Sequence, residues 1–340
     1  MRVLLTGGAG YIGSHAAVQL IDAGHEVEIV DNFSNSKPEA VRRIQAITGA
    51  AVPVHEIDLR DRVAVGNLIA AGDYAAVVHF AALKAVSESV ERPLEHYDHN
   101  MSVTFSLLSA MDAHGPRTLV FSSSATVYGD QAPLPFHEEQ QPLESVNPYG
   151  QAKIMTERLL SDVAAADPQW RIAVLRYFNP VGAHPSGLIG EDPKGTPSNL
   201  VPFIAQVAVG RRNKLLIFGD DYETKDGTGE RDYIHVDDIA TGHLAALEAI
   251  AEGDPLLRTW NLGGGVGTSV FEMLHAFERA CGREIPFQIV ERRSGDVATM
   301  WADPSRAKAE LGWEAKRSLD EMCADAWRWQ VQNPDGFTAT

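Results

Sequence analysis

The sequence predicts an α/β protein: a doubly wound parallel sheet covered by helices on both faces, followed by a smaller α/β substrate-binding lobe. Three observations carry this. Nearly continuous apolar runs alternate with helical patterns through the first half of the 340-residue chain, as strands buried on both faces do. A glycine-rich turn joins the first run to the first helical stretch. After Arg176 the texture changes, and residues 179–202 are rich in Gly, Pro, Asn and Ser. The length exceeds what one core usually fills, so two lobes are expected, 1–180 and 181–340.

Arg2 to Leu5 reads as the first strand and Tyr11 to Ala23 as the first helix, closed by Gly24-His25. Glu26 to Val30 is the second strand. Further strands are expected at Ala51 to Val54, Ala75 to Phe80, Thr118 to Ser122 and Ile172 to Leu175, each pair with room for a crossover helix. Residues 179–202 read as a long loop and Phe203 to Val209 as a helix. The remainder reads as short strands and loops.

Composition narrows the class. The apolar fraction is 44% and the charged fraction 22%, as in ordinary globular proteins. The formal net charge of −17 disfavours nucleic acid and anionic membrane surfaces as partners, since each needs a basic face. It leaves room for an anionic small molecule held by a few local arginines and helix N-termini. Cys281 and Cys323 show no metal or disulfide spacing, and read as reduced thiols. The chain enters its glycine turn at once, with no apolar run of membrane-spanning length, so a cytoplasmic location is expected.

Gly7, Gly10 and Gly13 lie three residues apart between the first strand and helix. The first permits a tight turn, the second lets a pyrophosphate approach the backbone, and the third allows close helix–strand packing. This is a Rossmann-like dinucleotide turn. Asp31 ends the second strand, where a carboxylate accepts both ribose hydroxyls of NAD and repels the extra phosphate of NADP. Asp58, followed by Leu59, reads equally as an adenine contact or a helix cap.

Tyr149 and Lys153 follow Pro148, a helix-start residue, and so share one helical face. A phenol titrates near ~10, too high for a good base at neutral pH. A neighbouring ammonium and a positively charged nicotinamide both favour phenolate. Ser122-Ser123-Ser124 ends a strand upstream, where ligands of parallel sheets bind, and a serine there can hydrogen-bond the same substrate hydroxyl.

These features resemble the extended short-chain dehydrogenase/reductase family. Phe121 to Gly129, Leu175 to Pro185 and Gly229 to Val236 are more specific; with them the chain resembles the UDP-glucose 4-epimerases from Met1 to about Trp329. The resemblance implies that Gly7, Gly10, Tyr11, Ile12 and Gly13 hold the pyrophosphate of a tightly bound NAD. Asp31, Asn32, Phe33, Ser34, Asn35 and Ser36 would surround the adenosine ribose, with Asp58 and Leu59 at the adenine. Phe80, Ala81, Ala82, Lys84, His99, Tyr177 and Phe178 would lie along the rest of the cofactor. It implies that Asn179, Asn199, Leu200, Leu216, Phe218, Arg231, Tyr233, Arg293 and Asp296 bind UDP, with Lys84 near its phosphates. Tyr149, Lys153 and Ser124 would epimerise the sugar at C4 through a 4-keto intermediate, in a homodimer joined by helices near Pro93 to His114 and Tyr149 to Ala166.

Two positions depart from the family pattern. His99 stands where asparagine is usual. Met300 stands where related epimerases carry a tyrosine or a small residue, and is expected to leave the N-acetylated UDP-hexoses as weaker substrates. Two other functions compete. A 4,6-dehydratase would need a carboxylate pair after its active-site serine or threonine, whereas Ser124 is followed by Ala125-Thr126. A non-catalytic NAD sensor would have no use for Ser124, Tyr149 and Lys153 together. His96 and His99 lack a third partner for a metal.

Overall fold

A computed structural model describes residues 1–130, 132–252, 256–293 and 296–338. The first strand and helix are β1 (Arg2–Thr6) and α1 (Tyr11–Asp22), which ends where Gly24 takes a φ of +85°. β2 (Glu26–Asp31) follows, then α2 (Pro38–Thr48), with proline in its first turn and Gly49 in the left-handed conformation just past its end. β3 (Val54–Glu56) starts later than the expected Ala51. Pro53 has no N–H for the ladder, and only its carbonyl is used, accepting from Ile29 N at 2.9 Å. Then come α3 (Arg62–Gly72), β4 (Ala76–His79), α4 (Val86–Glu91), α5 (Pro93–His114), β5 (Thr118–Ser124), α6 (Pro148–Ala166) and β6 (Arg171–Tyr177).

The rest of the chain is more regular than its composition suggests. The expected loop at 179–202 contains β7 (Asn179–Val181) and the start of α7 (Leu200–Ala208). β8 (Leu215–Phe218), β9 (Glu230–Arg231) and β10 (Tyr233–His235) precede α8 (Val236–Ala251) and β11 (Leu256–Leu262). β12 (Thr268–Ser269), α9 (Val270–Cys281), β13 (Phe287–Val290), β14 (Thr299–Met300), α10 (Ser305–Leu311) and α11 (Leu319–Gln332) complete it. The expectation of only short strands and loops after Val209 is therefore corrected: α8, α9, α10 and α11 lie among them. Ser269 with Glu272 and Ser318 with Glu321 form capping boxes that start α9 and α11.

A seven-stranded parallel sheet runs in the order β11-β6-β5-β4-β1-β2-β3. The first lobe, expected over 1–180, also takes in α8 and β11. β11 pairs along all of β6, covering an edge that would otherwise be open. One face is packed by α1, α2 and α8 around Leu20, Ile44 and Leu247, the other by α3, α5 and α6 around Ile69, Leu107 and Leu160. Burying each such side chain contributes about 1.5–3 kcal/mol. A separate core of Ile204, Leu274, Phe277 and Met322 holds α7, α9 and α11 together. Cys323 is buried, Cys281 half-buried, and neither forms a disulfide.

His15, His79 and His243 are buried inside these layers. Burial lowers His15 and His243 to about 4 and His79 to about 3, with Lys153 adding to the last. Their unfolded values lie near ~6.5, so below that pH the unfolded chain takes up protons that the folded chain refuses. Stability is then full above pH ~6.5 and falls as pH drops toward the folded values. The melting temperature, followed by circular dichroism, should decline steeply between pH ~6.5 and ~4; a flat profile would show that these imidazoles are not held neutral.

Candidate active site

The turn after β1 is shaped by backbone meeting backbone. Gly7 has a φ of +68°, and a Cβ there would stand 2.8 Å from Ala81 N. A Cβ on Gly13 would stand 2.6 Å from the Gly7 carbonyl oxygen. Gly10 precedes α1 and supplies no side-chain cap, which leaves first-turn N–H groups for an anion. Asp31 is buried and accepts from Ala9 N at 3.1 Å, Phe33 N at 2.9 Å and Ser36 Oγ at 2.8 Å. A carboxylate has about four acceptor positions, so one more donor can be received. Shape and donor set fit a dinucleotide.

The neighbouring loop wraps this carboxylate. Asn32 accepts from Ser34 N and donates to Asp58, while Ser34 and Asn35 are exposed and Phe33 has a φ of +53°. Asp58 caps no helix. Arg60 grips it with a two-pronged contact and holds it well below the usual carboxylate range; Asp61 caps α3 instead. Leu59 is buried in the core. Ile12 is partly buried against the opposite core. The Tyr11 hydroxyl donates to the Gly182 carbonyl at 2.7 Å, tying the turn to the segment after β7.

Phe80, Ala81 and Ala82 continue β4 and are half-buried. The next residue, Leu83, is fixed at both its N–H and carbonyl by the Asn100 side chain, at 2.8 and 3.1 Å. His99 lies 3.4 Å from that same amide oxygen, and burial lowers its pKa. Lys84 reaches Glu191 at 3.1 Å, and Asn199 donates to the same carboxylate at 2.8 Å. Sequence reasoning missed Glu191, a loop residue with no local signal. It also missed the 2.6 Å contact of Thr6 Oγ1 with His79, beneath Ala81.

Asn147 caps α6 through Gly150 N, and Pro148 occupies its first turn. This start sets Tyr149 and Lys153 on the buried face, at the carboxyl end of β5 beside Ser124. Lys153 Nζ donates to the Ser122 carbonyl at 2.7 Å, and lies 4.8 Å above the Phe121 ring and 5.7 Å from the Tyr149 ring centre. Burial pushes the Tyr149 phenol up to about 12, and a hydrogen bond with Ser124 pulls it back. Burial brings Lys153 down to about 8, against the opposing carboxylate of Glu157. The ammonium by itself therefore does not bring the phenol down as expected, because burial outweighs it and the charge faces rings and a carbonyl. Tyr177, on β6, is raised by burial and by its neighbour Tyr149.

Beyond Tyr149 and Lys153, Phe178 packs with Phe136 and partly buried Met300. Asn179 Nδ2 is buried with no partner among the described residues, a donor aimed at something the protein does not supply. Met300 pairs in register with Arg231. Arg231 makes no ion pair among the described residues; it donates to the Glu230 carbonyl. Its neighbour Asp232 turns inward to Gly264, Gly265 and Ala302 N–H groups, and burial pushes it up to about 6. Tyr233 is partly buried, and desolvation of its phenol raises it to about 12. Leu200 opens α7. Leu216 and Phe218 are exposed on β8, and Arg293 lies 5.3 Å above Phe218 while pairing with Asp296 at 3.0 Å. Residues 294 and 295 lie outside the described residues.

Residues 3–263 match the NAD dependent epimerase/dehydratase family. The chain is 54% identical over 337 residues to a UDP-glucose 4-epimerase of Bacillus subtilis (strain 168), covering 99% of each. It is 52% identical over 342 residues to a UDP-glucose 4-epimerase of Homo sapiens, covering 99% of this chain and 98% of the relative. Among solved structures it resembles UDP-glucose 4-epimerase from Bifidobacterium longum in complex with NAD+ and UDP. That match has a TM-score of 0.96 and 48% identity, covering 99% of this chain and 100% of the other.

The Gly13–Gly7 approach can be probed directly. Gly13→Ala should lower stability by about 1–3 kcal/mol in thermal melts, the usual cost of overpacking, and should weaken binding of a nicotinamide dinucleotide in fluorescence titrations. Undiminished binding would mean that the cradle tolerates a Cβ and that the close approach is unimportant.

Proposed function

The chain belongs to the NAD dependent epimerase/dehydratase family, and on that premise we propose how its residues interconvert UDP-glucose and UDP-galactose. It is an NAD-dependent isomerase acting at C4 of a UDP-hexose. When bound, NAD supplies the hydride acceptor and donor for C4 together with a positive ring that favours phenolate. The backbone of Gly7, Gly10, Ile12 and Gly13 would hold its pyrophosphate, Asp31 and the 32–36 loop its ribose, and Phe80, Ala81, Lys84, Tyr177 and Phe178 its other half.

Tyr149 takes the C4 hydroxyl proton and later returns it. Ser124, hydrogen-bonded to Tyr149, shares that hydroxyl. Lys153 keeps positive charge near the ring. The 4-keto sugar must turn over before it is reduced, so the grip belongs on the UDP part. Asn179 Nδ2 is a ready donor for it. Arg231 and Arg293 supply cations, Leu216 and Phe218 an apolar surface for a base, and Lys84 a further cation that Glu191 now holds.

One observation carries the reading: Ser124, Tyr149 and Lys153 are buried together at the carboxyl end of β5, in the sheet whose first turn fits a dinucleotide. The short helix Ala125–Tyr128 after Ser124 brings no carboxylate, so elimination of water lacks its acid. A homodimer is also part of the proposal. Leu94 and Phe105 on α5 and Met155 on α6 are exposed apolar residues, Leu94 at 83%, and such a face is normally covered. Among the described residues no helix is long and apolar enough to cross a membrane. A cytoplasmic location fits two unpaired cysteines, and cell fractionation checks it.

Purified protein should convert UDP-galactose to UDP-glucose without added NAD. Tyr149→Phe should cut turnover by roughly 100- to 10,000-fold, the usual range for losing a general acid–base, with UDP affinity retained; near-normal turnover would overturn the assignment. Light scattering should give twice the chain mass, and Phe105→Glu with Met155→Glu should give the single mass; a wild-type monomer would refute the dimer.

A further inference from the structure

Glu157 and Arg176 take no part in the chemistry above, yet they form a buried ion pair directly beneath it. Glu157 follows Lys153 by one helical turn and Tyr149 by two, so the three share a face of α6. Its side chain is 9% exposed and that of Arg176 4%. Glu157 accepts from Arg176 Nη2 at 2.6 Å and Nε at 3.1 Å, and from Ser123 Oγ at 2.5 Å. Arg176 stands opposite Ser123 in the β5–β6 register and spends its remaining nitrogen on the Tyr128 hydroxyl at 3.0 Å. Tyr128 in turn donates to Asn261 on β11 at 2.7 Å.

Ser123 is the middle of three serines. The carbonyl before it receives Lys153, and the hydroxyl after it meets Tyr149. Fixing Ser123 from below therefore fixes both partners of the dyad. A buried ion pair is weak evidence for stability, because desolvating two charges costs about what their attraction returns. Its placement here needs another reason.

We propose that Glu157 is a positioning residue for Tyr149 and Lys153: bonded to Ser123 and Arg176, it holds α6 on the end of β5 and presents its negative charge to Lys153. The inference rests on the reading of Tyr149 and Lys153 given above. The groups that face Lys153 make the charge matter. His79 on β4 is neutral by burial, as is the Tyr149 phenol, and Arg176 lies behind Glu157. Glu157 is the carboxylate that opposes the effect of burial on the ammonium.

Four variants separate positioning from mere folding. Ser123→Ala removes the anchor and leaves both charges; kcat should fall several-fold with KM for UDP-galactose unchanged. Glu157→Gln keeps the shape and removes the charge, so the alkaline fall of kcat should move to lower pH by about one unit. Because that change strands Arg176, the paired variant Glu157→Gln with Arg176→Met tests the same shift in a neutral pair; Glu157→Asp should restore part of kcat. A pH profile of unaltered shape in the charge variants, with wild-type kcat in Ser123→Ala, would overturn the proposal. Tyr149→Phe serves as the reference: if it too is active, the underlying site assignment has failed, and if it alone is inactive, only the role of Glu157 has.

Discussion

Tyr149 and Lys153 are buried side by side, and burial disfavours the charged form of each. Much of the surrounding structure acts against that constraint. The Ser122 carbonyl and the face of Phe121 solvate the ammonium, and Ser124 solvates the phenol's oxygen. These neighbours offset part of the effect of burial, and they are built into a central strand, since Ser122 to Ser124 are its last residues. A pair on a surface helix would titrate more normally but would lose the strength that low dielectric gives to each of these contacts.

The acidic chain handles its anionic ligand locally. Cations of the proposed site are tied to carboxylates: Lys84 to Glu191 and Arg293 to Asp296. Arg231 is held by a backbone carbonyl instead. Exposed pairs of this kind are each worth little, so a diphosphate can compete for the cation at small cost.

What could be read from the sequence was what depends on neighbours along the chain. The spacing of Gly7, Gly10 and Gly13, the strand-end position of Asp31, and the one-turn spacing of Tyr149 and Lys153 are short-range facts, and each lies in the expected kind of element. Glu191 and the Glu157–Arg176 pair were invisible because only tertiary packing brings them to their partners; Arg176 meets Glu157 through the β5–β6 register and the docking of α6. The later helices are a different case. The Ser-x-x-Glu starts of α9 and α11 were present, but the surrounding Gly and Pro content masked them. Pro53 was likewise in view, and its missing donor explains why β3 begins at Val54.

β11 has a consequence for how such a chain can be rearranged. It belongs to the large sheet but lies in the chain after the start of the second lobe, with α8 leading into it. Cutting the chain at residue 180 would leave β6 with a bare edge and α1 without the helix packed against it. The lobes are therefore not modules that a single crossover can exchange. Transplanting the substrate-facing part onto another dinucleotide-binding sheet takes at least two junctions, one on each side of α8 and β11. New specificities on this scaffold are accordingly easier to reach by changing loops in place than by swapping halves.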